Sequence, residues 1–136
     1  MIMEERHVVT CFLEYGGKIT LLRRSQRVGT YRGRWAGISG YIEEGNTPYA
    51  QALEEIREET GLSEEDVQLL KEGQPLEVTD EEIGRRWIVY PFRFQLTAPD
   101  KIRIDWEHTE MKWVDPKDIA KYETVPKLAE TWARVA

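Results

Sequence analysis

The sequence has little cysteine and no long apolar stretch. Its single cysteine, Cys11, excludes an internal disulfide and a zinc site made of several cysteines. Because Cys11 lies within an apolar run, a small core residue is a better interpretation than a nucleophile. The sequence also has no recognisable signal peptide and no apolar segment of membrane length, so we expect a cytoplasmic protein without a membrane partner.

Basic residues are also in the minority. The chain has 25 acidic and 19 basic residues, and its formal net charge is −6. Binding to nucleic-acid polymers regardless of sequence needs a basic field, so this class is excluded. A small phosphorylated substrate is not excluded, because a metal ion and nearby arginines can reverse the sign of the charge at one site. The length of 136 residues and the absence of internal repeats predict one domain over residues 1–136.

The most informative stretch, Gly40–Leu62, predicts a loop followed by a helix. Thr47 suits the N-cap position, and Pro48 suits the first helical position. Gly61 suits the left-handed residue that ends a helix. An apolar face at helical spacing is formed by Tyr49, Ala52, Leu53 and Ile56.

The opposite face of this predicted helix is crowded with carboxylates. Glu55, Glu58 and Glu59 are surface neighbours, and each like-charged pair costs roughly 0.2–0.5 kcal/mol on an isolated helix. The last turns of a helix also carry negative dipole charge. A solvated glutamate-rich face is one interpretation. The other is a site for a divalent cation such as magnesium, which takes hard oxygen ligands together with substrate phosphates.

The spacing of these residues resembles the signature of the Nudix hydrolase family, which includes the MutT-like proteins. The signature runs glycine, five residues, glutamate, seven residues, arginine, glutamate, an aliphatic residue, any residue, two glutamates, any residue, glycine and an aliphatic residue. The matching positions are Gly40, Glu55, Ile56, Glu58, Glu59, Gly61 and Leu62.

Two positions depart from this signature. Asn46 stands where the family pattern has glutamate, and Glu54 stands where it has arginine. The charges of these two positions cancel in the family pattern, whereas here they leave one negative charge. The resemblance implies that Glu55, Glu58 and Glu59 hold metal, and these three are intact. The alternative to a working hydrolase is a catalytically weak or inactive nucleotide-binding module of the same fold.

The segment 23–35 contains five arginines and no acidic residue, an uneven distribution for an acidic protein. A guanidinium group can donate two parallel hydrogen bonds to a phosphate. We therefore expect Arg24, Arg32 or Arg34 to bind substrate phosphates opposite the glutamate helix. The alternative is a basic surface loop that balances nearby acids. Trp35, at the end of the segment, is interpreted as a core residue.

A later segment, 107–116, resembles the part of the family in which a glutamate-containing loop precedes a strand ending in Trp-Val and then a proline. Glu107 fits the place of an extra metal ligand or general base better than Glu110. His108 is interpreted as a bystander. Upstream of this segment, Trp87 is a candidate for stacking on a nucleotide base.

The remaining patterns predict strands and C-terminal helices. A hairpin is expected around Gly16-Gly17, and Pro91 indicates an edge, a bulge or a ligand-facing bend in its strand. The predicted strands are 7–15, 18–23, 67–71, 76–78 and 86–96, and the predicted C-terminal helices are 116–120 and 124–135. The expected class is α/β, and the resemblance implies a Nudix-like α/β/α sandwich with a mixed β-sheet.

The function implied by the resemblance is magnesium-dependent hydrolysis, with manganese as a substitute metal. The bond cleaved would be the pyrophosphate linkage of a nucleoside diphosphate joined to a further moiety X, of the nucleoside triphosphate or ADP-ribose type. Glu58 or Glu107 would accept the proton of the attacking water. The partner would be a small phosphorylated nucleotide, and the protein would be a monomer or a homodimer.

Overall fold

The N-terminal hairpin forms the middle of the sheet. The computed structural model describes residues 2–136 and places β1 at Glu4–Tyr15 and β2 at Lys18–Arg24. Gly16 and Gly17 between them have φ angles of 59° and 78°. Glycine adopts this left-handed backbone without the steric cost that other residues meet, so the tight turn can form. The predicted hairpin is confirmed.

Within residues 2–136, eight strands form one mixed sheet. Besides β1 and β2, the strands are β3 (Trp35–Ala36), β4 (Ile38–Tyr41), β5 (Val67–Glu72), β6 (Leu76–Asp80), β7 (Arg85–Leu96) and β8 (His108–Val114), and the α-helices are α1 (Pro48–Thr60) and α2 (Leu128–Ala133). β1 runs parallel to β7, and all the other strand pairs are antiparallel. The order along the main path is β3-β2-β1-β7-β5, with β4 on β1, β6 on β7 and β8 on β2.

The sheet separates two hydrophobic cores because successive side chains of a strand point to opposite faces. On β1, Val9, Cys11 and Leu13 belong to the core that contains Ala52 and Ile56 of α1. Phe12 belongs to the other core, together with residues of α2 and of the 3₁₀ turn Pro116–Lys121. Helical segments therefore cover both faces, and the expected α/β/α sandwich is confirmed. Cys11 and Trp35 are both buried core residues.

Pro91 lies in a central strand, so the expectation of an edge is wrong. Its partner on β1 is Thr10. On the other side of β7, the neighbouring strand changes from β6, whose pairing reaches Val89, to β5, whose pairing begins at Phe92. The residue without a backbone N–H thus occupies a gap between two partners, where a ladder hydrogen bond is not required.

The C-terminal segment is less helical than its pattern predicts. α2 spans only Leu128–Ala133, and the predicted helix at 116–120 is a 3₁₀ turn. Thr124 and Val125 instead pair with the backbone of Trp35, and Lys127 has a left-handed φ of 60°. These backbone bonds hold Thr124 and Val125 against Trp35, and the helix begins only at Leu128. Val125, Leu128, Ala129 and Trp132 nevertheless pack in the core that contains Phe12.

The caps of α1 lead to a stability prediction. The Thr47 hydroxyl accepts a hydrogen bond of 3.1 Å from the Ala50 N–H. Thr47→Ala should lower the free energy of unfolding by about 1 kcal/mol because this N–H loses its partner. Thr47→Ser keeps the hydroxyl and is the matched control. Urea unfolding followed by circular dichroism measures both variants, and equal midpoints for the alanine and serine variants would contradict the cap assignment.

Candidate active site

Helix α1 presents its carboxylates at three different depths. Ala52 and Ile56 are buried against the sheet and fix the rotation of the helix. Glu59, one turn after Ile56, is only 2% exposed, whereas Glu55 is half-buried and the Glu58 side chain is 46% exposed. The predicted metal ligands therefore run from the surface into the interior.

Gly40 on β4 leaves the space that the Glu55 carboxylate occupies. A Cβ atom built on Gly40 would overlap that carboxylate. Any other residue at position 40 would push Glu55 away from the sheet. The first and the central positions of the signature are therefore linked by direct contact, which explains why glycine is needed 15 residues before this glutamate.

Burial and mutual repulsion disfavour charge on these carboxylates. Burial is the main cause that raises the pKa of Glu55 to about 8, and the charges of Glu58 and Glu107 add to it. Burial and the charge of Glu55 also raise the pKa of Glu59 well above its usual range. The pKa of Glu107 is raised by burial and by Asp105, while Arg24 opposes this shift. A bound cation would relieve each of these costs.

The two oxygens of the buried Glu59 carboxylate have different surroundings. Oε1 lies 3.4 Å from His108 Nε2, whereas Oε2 is buried and has no hydrogen-bond partner in residues 2–136. An orphaned carboxylate oxygen beside two further glutamates fits the oxygen donors that magnesium prefers. In the described chain, no three His, Cys, Asp or Glu side chains are grouped closely enough to hold a metal as they stand. Metal ligation therefore requires the carboxylate side chains to converge.

His108 is a site residue that the sequence interpretation missed. It is buried at the start of β8, against Glu59, and its Nδ1 lies 3.3 Å from Asp105 Oδ1. Burial lowers the pKa of His108, although Asp105 opposes this shift. The only signal in the sequence was its position next to Glu107. Contact with the helix depends on the pairing of β8 with β2, which no local pattern predicts.

A cleft of about 470 Å³ lies beside these carboxylates. Among the residues that line it are Glu55, Glu107, Arg24 and Trp87. The Arg24 Nε donates a 3.0 Å hydrogen bond to the Thr30 carbonyl, which holds the guanidinium in place. Burial lowers the pKa of Arg24, while the charges of Glu59 and Glu107 oppose the shift. The cleft therefore brings one arginine from the basic segment to the glutamates of the helix.

Arg32 and Arg34 do not line this cleft. The Arg32 Nε donates a 2.8 Å hydrogen bond to the Val28 carbonyl, and the Arg34 Nη1 donates one of 3.3 Å to the Thr124 carbonyl. Both guanidinium groups thus bind backbone oxygens within the loop and at its junction with the C-terminal segment.

Trp87 forms part of the cleft wall but is only 8% exposed. Its ring is stacked with Tyr41 at a centroid distance of 6.2 Å and an interplanar angle of 16°. Its Nε1 donates a 3.0 Å hydrogen bond to the Tyr31 hydroxyl, which in turn donates to Asp80. The sequence interpretation missed Tyr31 and Tyr41, because their contacts come from strands distant in sequence.

The two departures from the signature remain in contact with each other. The Asn46 Nδ2 donates to Glu54 Oε2 at 3.2 Å and to Gln51 Oε1 at 2.8 Å. Gln51 is buried and also accepts a 3.0 Å hydrogen bond from the Glu43 N–H. A neutral amide therefore ties the loop to the helix where the family pattern has two opposite charges.

The comparisons with known proteins agree with this arrangement. The NUDIX domain family model matches residues 3–135. Curated relatives named nucleoside triphosphatase NudI, from Escherichia coli O139:H28 and from Shigella flexneri, are 26% identical over 130 residues, and the match covers 89% of this chain and of each relative.

Solved structures show the same fold. A MutT protein from Methanosarcina mazei Go1 has a TM-score of 0.82 at 21% identity, and the match covers 99% of this chain and 95% of the other. An Ap4A hydrolase from C. elegans in a binary complex has a TM-score of 0.75 at 18% identity, with 96% and 93% covered. Residues 2–136 contain no helix that is long and apolar enough to span a membrane. The family match over nearly the whole chain, together with the signature helix and its carboxylates, establishes that the chain belongs to the Nudix family and is a Nudix-type pyrophosphohydrolase.

Proposed function

We propose that this protein hydrolyses nucleoside triphosphates, or a related nucleoside diphosphate linked to a moiety X, in a magnesium-dependent reaction. The observation that carries the proposal is that Glu55, Glu107 and Arg24 line one cleft, with the buried carboxylate of Glu59 close enough to interact electrostatically with all three. These are the groups needed to hold a cation and to bind a polyphosphate.

Glu55, Glu58 and Glu59 would hold the metal, since Glu59 has an orphaned oxygen and Glu55 is repelled by both of the other carboxylates without a cation. When bound, magnesium polarises the phosphoryl oxygens and lowers the pKa of water, and manganese can supply the same chemistry. The protein contributes the rigid helix that places the carboxylates and the glycine that gives Glu55 its space.

The general base would be Glu58 or Glu107. Both carboxylates are more accessible than Glu59, and Glu107 lines the cleft. Burial raises the pKa of Glu107 above its usual value, and a higher pKa makes a carboxylate a stronger proton acceptor. Arg24, which lines the cleft, would stabilise charge on the phosphates. Arg32 and Arg34 would have to release their carbonyl partners to do so.

The substrate class rests on two observations. The relatives named NudI are nucleoside triphosphatases, and they match this chain over 89% of its length. The cleft of about 470 Å³ falls in the range of roughly 300–1,000 Å³ that is typical of small-molecule sites. ADP-ribose is the second candidate, since the same bond chemistry applies to it.

The competing proposal, a nucleotide-binding module without activity, depends on Asn46 and Glu54. Their mutual hydrogen bond weakens this proposal, because the loop remains attached to the helix despite the departures. The three helix carboxylates and Glu107 are also present. These observations agree with the assignment of the chain as a hydrolase.

Release of phosphate or nucleotide from a panel of nucleoside triphosphates and ADP-ribose, with magnesium and then with EDTA, tests the proposal. Glu59→Gln should lower the magnesium-dependent rate by about 100-fold or more. The variant lacks one charged metal ligand, and a bound metal stabilises the transition state by several kcal/mol. In EDTA, the same variant should melt at a higher temperature because a repelled carboxylate is removed. Glu65→Gln, at an exposed position, is the control. Wild-type turnover in Glu59→Gln would refute the ligand assignment.

The raised pKa of Glu55 predicts how stability depends on pH without metal. Between its usual value of 4.5 and about 8, the folded state keeps a proton that the unfolded state has lost. Stability in EDTA should therefore fall as pH rises through this window. Glu55→Gln should flatten the fall, as measured by melting temperature at each pH. Magnesium should stabilise the wild-type protein more at pH 8 than at pH 5, because ligation needs deprotonated carboxylates. Equal magnesium shifts at both pH values would contradict this prediction.

A double-mutant cycle at positions 46 and 54 separates the two functional proposals. Asn46→Glu alone places a second carboxylate beside that of Glu54, and their repulsion should lower the free energy of unfolding by about 1 kcal/mol. Adding Glu54→Arg restores the family pair and should recover this loss. Because the native pair is already bonded, the double variant should keep magnesium-dependent turnover within about threefold of wild type, a change below 1 kcal/mol. A large gain in turnover would instead mean that the native departures impair catalysis.

A further inference from the structure

Trp106 is an aromatic side chain that remains exposed at the mouth of the cleft. It is 55% exposed, although it lines the same cleft as Glu55 and Arg24. It directly precedes Glu107 in the loop that leads into β8. A large aromatic ring left accessible beside a polar site is a common feature of ligand recognition, since it offers apolar area at little cost in conformational entropy.

Arg27 reinforces this position. Its Cζ lies 5.2 Å from the centroid of the Trp106 ring, which is the geometry of a cation–π contact. The two loops that carry these residues are joined by a 2.7 Å hydrogen bond from the Ser25 N–H to the Glu107 carbonyl. Trp106 and Arg27 therefore form a fixed edge of the cleft beside the proposed general base.

The two tryptophans of the cleft differ in their free surface. Trp87 is stacked with Tyr41, has the Arg85 guanidinium 5.5 Å from its centroid and donates its N–H to Tyr31. These partners leave it 8% exposed. Within residues 2–136, the Trp106 ring has a single cation–π contact, with Arg27, and keeps more than half of its surface accessible.

We propose that Trp106 is the stacking surface for the base of the nucleotide substrate, with Arg27 as the cation beside it. This inference rests on the proposed function. A base stacked on Trp106 would lie next to Glu107, so the attached phosphates could extend towards Arg24 and the helix carboxylates. Stacking tolerates every base because each has a π-face, so Trp106 would supply affinity for nucleotides without selecting one base.

The test compares substrates with and without a base. Hydrolysis of nucleoside triphosphates and of inorganic tripolyphosphate is measured for the wild type, Trp106→Ala and Trp106→Phe. Trp106→Ala should raise KM for the nucleotides by about tenfold with little change in kcat, as expected for the loss of one base-stacking contact. Trp106→Phe should stay near wild type, and tripolyphosphate kinetics should be the same in all three. Ile104→Ala removes another exposed apolar side chain from the same loop and is the matched control.

Binding of methylene-bridged analogues of ATP, GTP, CTP and UTP is measured in parallel by calorimetry, so that the result does not depend on turnover. Weaker binding by Trp106→Ala, with Ile104→Ala unchanged, supports the stacking role even if no substrate is cleaved, in which case only the hydrolase proposal fails. Unchanged affinity and KM in Trp106→Ala overturn the stacking role while hydrolysis stands. An equal rise in KM for tripolyphosphate in Trp106→Ala also overturns the stacking role, because the effect of the substitution would not involve the base. If the wild-type protein binds neither these analogues nor ADP-ribose, both proposals fail.

Discussion

The candidate site depends on a fold that holds several carboxylates near one another where water does not fully solvate them. Glu59 is buried at the end of α1, and Glu55 lies half-buried against Gly40 of β4. Repulsion and desolvation both act against this arrangement. It persists because the opposite face of the helix is anchored by Ala52 and Ile56 in a large apolar core. The stability of the sandwich thus keeps these carboxylates in positions that they would not adopt on an isolated helix.

The loop before α1 has a related role. It must bring Gly40 against the helix, and the Asn46–Gln51–Glu54 hydrogen bonds attach it there. An amide that donates to a carboxylate is less sensitive to salt than two opposite charges at a partly exposed position, while its geometry imposes similar constraints. The departures from the family signature therefore change the chemistry of the attachment and keep the attachment itself.

The side of the cleft away from the helix carboxylates is formed by other segments of the chain. Its residues come from the 25–34 loop, the loop before β8 and the strands β4, β6 and β7, and it carries both packed and exposed aromatic rings. A shared fold and a shared signature helix do not define these loops, so family membership identifies the bond that is cleaved more readily than the group attached to it. Arg27 and Trp106 lie in these loops, outside the signature segment Gly40–Leu62.

Local sequence patterns were enough to predict the hairpin around Gly16-Gly17, the limits of α1 at Thr47 and Gly61, and the set of helix carboxylates. These features depend on local rules of capping, turn geometry and helical spacing, so they can be read from neighbouring residues. The short α2 and the central place of Pro91 could not be predicted, because backbone pairing with distant residues decided them.

The tertiary structure alone decided the surroundings of the carboxylates. The pairing of β8 with β2 brings His108 to Glu59, and the folding of the basic segment points Arg24 into the cleft while Arg32 and Arg34 bind backbone carbonyls. Each arginine has the same local chemistry in the sequence. Their different environments arise from long-range packing, which determines burial, local charge and access, and no pattern of neighbouring residues encodes these quantities.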